Sequence, residues 1–448
     1  MERPPGPRSR SPLGLLPEFR KGPNLFFERV AREYGDVAYF RLGVQRTYLV
    51  SDPELIRAVL VTDQRQFVKS HALHRLKVLL GEGLLTSDGE FHLRQRRLSQ
   101  PGFHRERLAG YAAAMVRRAV AARERWRDGE TVDLHREMMR LTLGIVGETL
   151  FSADVEGEAE EIGAALNDIL AQFHTLLIPG TQYLGWLPFG SAKVFQRALE
   201  RLNRTVYRII GEHRASGADQ GDLLSMLLEA VDEETGERMS DRQVRDEAMT
   251  LMLAGHETTA NALTWSFYLL SQNPECERRL HEEVDGLDGR APGFEDLPRL
   301  GYAEMVLAEA MRLYPPAWSI GRLSPGEYRL GEWTVPAGSV IAMSQWAVHR
   351  DARWWPEPER FVPERFAAEE REKRPKFAYF PFGGGTRQCI GERFAWMEGT
   401  LVLAAIAQKW RARLADGQKV ETEARVTLRP RWGMGMRMEE REEAGSEK

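Results

Sequence analysis

Cysteine is nearly missing from this chain, whose 448 residues include only Cys276 and Cys389. One follows an Asn-Pro-Glu turn and the other lies among glycines, so they do not read as a disulfide pair, and a reducing, cytoplasmic setting is the simpler expectation. No apolar run approaches the roughly 20 residues needed to span a bilayer. The first thirteen residues interleave Arg3, Arg8 and Arg10 with Pro4, Pro5, Pro7 and Pro12, without the apolar core of a secretion signal. Net charge is only −4, which gives no reason to expect nucleic acid or an acidic substrate. No repeat is evident and no Gly/Ser-rich linker divides the chain. With 42% apolar and 29% charged residues, a soluble globular protein is expected. It is long enough to bury a large cofactor. The expected organisation is a poorly ordered Pro/Arg-rich lead over 1–21, one domain over 22–438 and a charged tail over 439–448.

Local patterns divide the chain into a small β-containing lobe and a mainly helical body, a mainly α (α+β) class. Strand-like Val37–Leu42 and Thr47–Val50 flank Gly43 as a hairpin, and Asp52-Pro53 caps a helix through Val61. Helical periodicity covers Ala112–Arg127, Leu134–Phe151, Glu158–Leu177 and Ala192–Arg214. Between the last two lies an apolar, proline-broken connection over 178–189. Ser240 and Gln243 form a capping box, which starts a helix running to about Ser271 before Pro274 stops it. Asp232 to Glu237 reads as a solvated acidic turn, and Gly331–Pro336 as strand-like.

The densest signal is Phe382-Gly383-Gly384-Gly385-Thr386-Arg387-Gln388-Cys389-Ile390-Gly391. Glycines let a backbone approach a flat cofactor and turn amide N–H groups toward a thiolate, which is itself a ligand for soft metals. A buried, inert cysteine behind a glycine loop is the ordinary alternative. It leaves unexplained the phenylalanine seven before, the arginine two before and the glycine two after. A zinc site is disfavoured, because no second cysteine or clustered histidine accompanies Cys389 at ligand spacing.

The pattern F-x-x-G-x-R-x-C-x-G resembles the haem-binding signature of the cytochrome P-450 monooxygenases, and further segments match that family in its own order. His92 and Arg96 lie one helical turn apart. Alone they read best as a solvated basic helix, but the family uses such a pair for haem propionates. Ala254-Gly255-His256-Glu257-Thr258-Thr259 resembles the oxygen-activating A-G-x-D/E-T-T segment. There the small residue leaves room for dioxygen, and Glu257 and Thr258 manage proton delivery. Glu309-Ala310-Met311-Arg312 resembles the E-x-x-R pair, and Pro358–Phe366 the segment that returns Arg365 to it as a structural ion-pair network. Arg322 and Arg387 stand where the family places propionate-binding arginines.

The resemblance implies a large helical body with a smaller β-containing lobe and one haem b ligated by the Cys389 thiolate, with Phe382 and Gly391 beside it. Ala254 stands where a glutamate esterifies haem in some fatty-acid hydroxylases, so the haem is expected to be held noncovalently. The implied reaction inserts one atom of O2 into a C–H bond of a lipophilic substrate such as a fatty acid, terpenoid or carotenoid. No reductase domain follows, which implies a separate ferredoxin or flavodoxin with an NAD(P)H-dependent reductase. Arg94, Arg97 and Arg393 are candidates to dock that donor. A monomer is expected. Substrate choice is expected in Ser70–Leu85, Phe173–Phe189, Leu251–Ala254, Ala317–Ile320 and Trp432–Met436. The competing readings are a haem-thiolate peroxygenase or isomerase, disfavoured by the retained Glu257-Thr258 pair, and a non-catalytic haem-based sensor.

Overall fold

In this computed structural model the described residues are 3–152, 165, 190–232 and 234–441. Apart from Ala165, which is helical, the expected helix over 158–177 lies outside them, as do the connection over 178–189 and most of the charged tail.

In chain order the main helices are α1 (Pro23–Tyr34), α2 (Gly89–Ser99), α3 (Arg105–Arg123), α4 (Leu134–Phe151), α5 (Gly190–Ser216), α6 (Leu223–Glu229), α7 (Asp241–Gln272), α8 (Gly301–Leu313) and α9 (Glu392–Ala407). The strands used below are β1 (Val37–Leu42), β2 (Gln45–Val50), β3 (Val68–Lys69), β4 (Thr131–Asp133), β5 (Ile320–Ser324), β6 (Tyr328–Leu330), β7 (Trp333–Val335), β8 (Ser339–Met343), β9 (Trp410–Leu414) and β10 (Gly435–Glu440). The strand expected within Gly331–Pro336 is present as β7, and Gly331, at φ +58°, is the turn of the β6–β7 hairpin that precedes it, a conformation glycine adopts without strain.

The chain forms two compact units. The first comprises residues 1–71, 308–389 and 422–429. Its five-stranded sheet has the order β1-β2-β8-β5-β3, with β2 and β8 parallel and the other pairs antiparallel. Tyr48, Val50, Ile341 and Met343 pack on Ile56, Leu60, Phe67 and Phe380 to form one core. The helix beginning at Pro53 is capped by Asp52, which accepts from the Leu55 N–H at 2.9 Å, and its α-helical part ends at Arg57 before a π-helical Ala58–Thr62. The lead expected to be loose is instead placed along β1. The Tyr39 N–H donates to Pro5 O at 2.9 Å and the Leu15 N–H to Arg41 O at 2.8 Å. Prolines without N–H groups still offer carbonyls to a sheet edge, which is why the sequence lead can lie there.

The second unit comprises 72–307, 390–421 and 430–448. Its axis is α7, 32 residues long and started by the expected capping box, with Ser240 and Gln243 each bonding the other's backbone. Nearly every α7 residue from Val244 to Phe267 is buried. Gly255 sits where an added Cβ would stand 3.0 Å from Val146 of α4, and the Thr142 hydroxyl of α4 donates to His256 O at 2.9 Å. A larger residue at 255 would force the two helices apart. A sheet of order β4-β10-β9 completes this unit.

Candidate functional site

The glycine loop of the first unit is shaped by close approaches. Gly383 and Gly385 adopt φ +74° and +70°, and a Cβ on Gly385 would lie 2.0 Å from Leu60 O. A Cβ on Gly384 would meet the Phe377 ring at 2.8 Å. Gln64 Oε1 accepts from both the Thr386 N–H at 2.7 Å and its hydroxyl at 2.8 Å. The Cys389 N–H donates to Phe382 O at 3.0 Å, closing the loop on itself. Phe382 is half-buried and Cys389 is exposed. Free cysteines are among the most buried residues as a class, so an exposed thiol on a braced loop is built to be reached. Arg387 donates to Phe67 O at 3.0 Å, beside β3, whose Lys69 is the cross-strand partner of Arg322. The Arg322 side chain is itself buried.

Behind the loop, Glu309, Arg312 and Arg365 are brought together as expected. Arg312 is fully buried and its five N–H groups all donate. Two reach Glu309 at 2.7 and 2.8 Å, and three reach the carbonyls of His349, Pro358 and Arg360 at 2.8, 2.7 and 3.0 Å. Glu309 also accepts the Val362 N–H at 3.0 Å and faces Arg365 Nε at 3.4 Å. This saturation meets the condition under which a buried ion pair is tolerable. Sequence reasoning missed His349. It is fully buried, its Nε2 accepts the Phe380 N–H at 3.0 Å, and the Phe380 carbonyl accepts from Gly383 at 3.0 Å. Burial, then the Arg312 and Arg350 charges, push its pKa well down, so the ring stays neutral and able to accept. A continuous chain of hydrogen bonds therefore runs from Arg312 through His349 to the glycine loop. The available signal was a histidine ahead of Arg350-Asp351, with no acid at helical spacing to pair it.

In the second unit α7 is open at one place. Between Val244 and Phe267 only Ala254, Gly255 and Thr258 are not buried, a window one helical turn tall on one face. Within it the Thr258 hydroxyl donates to Ala254 O at 2.8 Å, the back-bonding that suits a threonine inside a helix. Glu257 beside it is buried, at 3% exposure. His256 is buried on the far side, with Nδ1 on Met252 O at 2.9 Å, and burial lowers its pKa. His92 and Arg96 share one face of α2, His92 buried and Arg96 half-buried. Gly391 is the N-cap of α9.

One expectation is corrected: the acidic turn is not merely solvated, because Arg94 and Arg97 of α2 pair with it. Arg97 meets Glu234 at 2.9 Å and Asp232 at 3.3 Å, while Arg94 meets Glu237 at 3.4 Å. Asp232 is buried in the process. Opposite charges 135 or more residues apart in sequence give no local signal of such a contact.

A reachable cysteine thiol on a glycine loop, braced by a saturated E-x-x-R cluster, together with a long helix opened at an acid–alcohol pair, defines the haem-thiolate oxygenase class. The profile of the family described as Cytochrome P450 matches residues 4–432, and the chain belongs to that family. It is 42% identical over 398 residues to cyclooctatin synthase of Streptomyces melanosporofaciens, covering 88% of this chain and 87% of the relative. It is 40% identical over 386 residues to cyclooctat-9-en-7-ol 5-monooxygenase of the same organism, covering 86% and 84%. To pentalenene oxygenase of Streptomyces avermitilis it is 36% identical over 408 residues, covering 90% of each. The protein is a cytochrome P450 monooxygenase acting on a lipophilic substrate, and the family implies haem with a cysteine thiolate ligand.

The residues present fit that group. An exposed thiol is offered where an added Cβ on Gly384 or Gly385 would collide with neighbouring atoms. The same unit carries Arg322 and Arg387, cations suited to carboxylates. No helix among the described residues is long and apolar enough to cross a membrane.

Proposed function

We propose that this enzyme hydroxylates a cyclic terpenoid and that the Cys389 thiolate would hold a noncovalently bound haem b. The observation that supports the cofactor assignment best is the exposed Cys389 on the braced glycine loop. The substrate class rests on the relatives, two of which carry cyclooctatin or cyclooctat-9-en-7-ol in their names and one pentalenene.

Cys389 would hold haem as a thiolate and donate electron density to it, and the chemistry the haem would supply is the binding and reductive activation of O2. His92, Arg96, Arg322 and Arg387 would hold its propionates by charge-assisted hydrogen bonds. Phe382 and Gly391 flank the ligand. Thr258 offers a hydroxyl in the α7 window, and Glu257 passes it protons from water. Ala254 has no carboxylate, so no ester forms. Electrons come from a separate ferredoxin or flavodoxin with its NAD(P)H-dependent reductase, in the cytoplasm, to a monomeric enzyme.

The test is turnover of a panel of cyclic diterpene and sesquiterpene hydrocarbons and alcohols, with fatty acids and carotenoids as comparators, using a ferredoxin and ferredoxin reductase with NADPH. One-oxygen products from a cyclic terpenoid support the reading. Conversion of fatty acids alone would overturn the substrate class. Thr258→Ala is expected to lower product formed per NADPH consumed by about tenfold or more, with the Cys389 ligation spectrum unchanged. Equal coupling in the variant would remove Thr258 from the proton path.

A further inference from the structure

Counted back along α7 from Thr258, the positions Ala254, Leu251 and Glu247 follow at helical spacing, so Glu247 lies on the stripe that opens at the window. It stands seven residues before Ala254, about 10 Å along the axis at ~1.5 Å per residue. There Glu247 accepts the Leu84 N–H at 3.0 Å, and its neighbour Asp246 accepts the Glu82 N–H at 2.9 Å. The 81–84 turn is thus seated on α7 by two buried carboxylates holding its backbone. The fit leaves no slack. A Cβ on Gly81 would lie 2.0 Å from Asp246 Oδ2, and one on Gly83 would lie 2.2 Å from Thr250 Oγ1.

The second oxygen of Asp246 accepts from Arg245 Nη1 at 2.8 Å, and Arg245 reaches across to α5, where Asn203 Oδ1 accepts from its Nε at 2.8 Å and its Nη2 at 2.5 Å. Arg245 and Asp246 are 8% and 4% exposed. A buried pair of this kind contributes little stability against an apolar replacement, and is best understood through what it positions. What it joins is a turn inside the expected substrate region Ser70–Leu85 and the helix α5, whose Asn203 lies 42 residues before Arg245, all within one compact unit.

We propose that Arg245 is a positioning residue for the substrate, tying α5 to the 81–84 turn through Asn203 and Asp246 so that the two segments loosen or tighten together beside the α7 window. The substrate role of that wall rests on the proposed function. The coupling itself does not.

The test uses the haem-loaded full chain and amide hydrogen exchange read by mass spectrometry. Asn203→Ala removes the acceptor that α5 offers Arg245 and changes no residue of α7 or of the turn. Exchange in a peptide covering Glu82 and Leu84 is expected to rise by about tenfold or more, with the β4-β10-β9 sheet unchanged. Asn203→Asp keeps an acceptor for Arg245 and is expected to restore the wild-type rate. In parallel, the dissociation rate of 1-phenylimidazole, followed optically, is expected to rise severalfold in Asn203→Ala and to return in Asn203→Asp. Unchanged exchange at 82–84, or a rise spread over the whole unit, would overturn the coupling. Altered exchange with unaltered phenylimidazole release would leave a structural brace and overturn the substrate role. Failure of every terpenoid in the turnover panel would not move the exchange result.

Discussion

At the scale of single residues, Arg312 shows why the E-x-x-R pair cannot be conservatively changed. All five of its donors are used in a fully buried place, and lysine offers neither the planar fork nor the donor count. Arg312→Lys is expected to cost about 3–5 kcal/mol, the range for breaking a buried pair, and to lower the fraction of protein giving a thiolate-ligated spectrum. Thermal melting and haem content measure both. Glu398 of α9 makes a different prediction. Burial drives its pKa up to about 8, against a smaller opposing effect of the Thr259 hydroxyl, so it is a neutral acid at pH 7. Because the folded value exceeds the ordinary 4.5, its contribution to stability is complete below that pH and gone above about 8. Glu398→Gln cannot ionise. Its unfolding free energy relative to wild type is therefore expected to climb steadily as pH rises between those two values, at about 1.4 kcal/mol per pH unit. A constant difference across that window would mean that Glu398 is ionised throughout. Glu309, Arg312 and Arg365 were legible in the sequence because their spacing is a pattern. His349 was not, because its partners are backbone groups, which every residue has.

At the scale of elements, the glycine loop and the α5–α6 junction carry predictions of opposite kind. Gly385→Ala must fit a Cβ against Leu60 O at φ +70°. The collision is with backbone, so the loop has to move. The expected result is a weakened thiolate-ligated spectrum in a protein that still folds. At the junction, His213 of α5 has Nδ1 on Ile209 O at 2.9 Å and Nε2 on the Asp222 carboxylate at 2.7 Å. Both partners are acceptors, so the ring carries two protons. Burial pulls its pKa down, but Asp222, Ile209 and Glu212 outweigh it and the value is raised. The contribution to stability is then full below the ordinary histidine value and lost as pH rises through the folded one. His213→Gln is expected to melt well below wild type at mildly acidic pH, with the gap closing in alkali, while a gap independent of pH would show a neutral ring. Helix α7 was readable from Ser240 and Gln243 because a capping box is local chemistry. By contrast, the break in the helix after Arg57 carried no sequence mark.

At the scale of the whole molecule, the chain builds a β-rich unit carrying Cys389, Arg322 and Arg387 and a helical unit carrying His92, Arg96, Glu257 and Thr258. The order of these motifs was legible because each one is short and local. The distribution of surface charge was not, since Arg94 and Arg97 are claimed by an acidic turn far along the chain. Arg393, exposed in the first turn of α9, is thus the better cation for an acidic electron donor. Arg393→Glu is expected to raise KM for ferredoxin severalfold at low salt with kcat little changed, and Arg97→Ala to leave KM unaffected. Equal effects of the two would return the donor to α2.

The central claim, that Cys389 holds haem as a thiolate, is tested most directly by the difference spectrum of the dithionite-reduced protein with and without carbon monoxide. The account predicts a Soret band at the position diagnostic of a thiolate-ligated ferrous–CO complex, lost in Cys389→His. A band in the wild type where histidine-ligated haem proteins absorb, or a thiolate-type band surviving in Cys389→His, would contradict it.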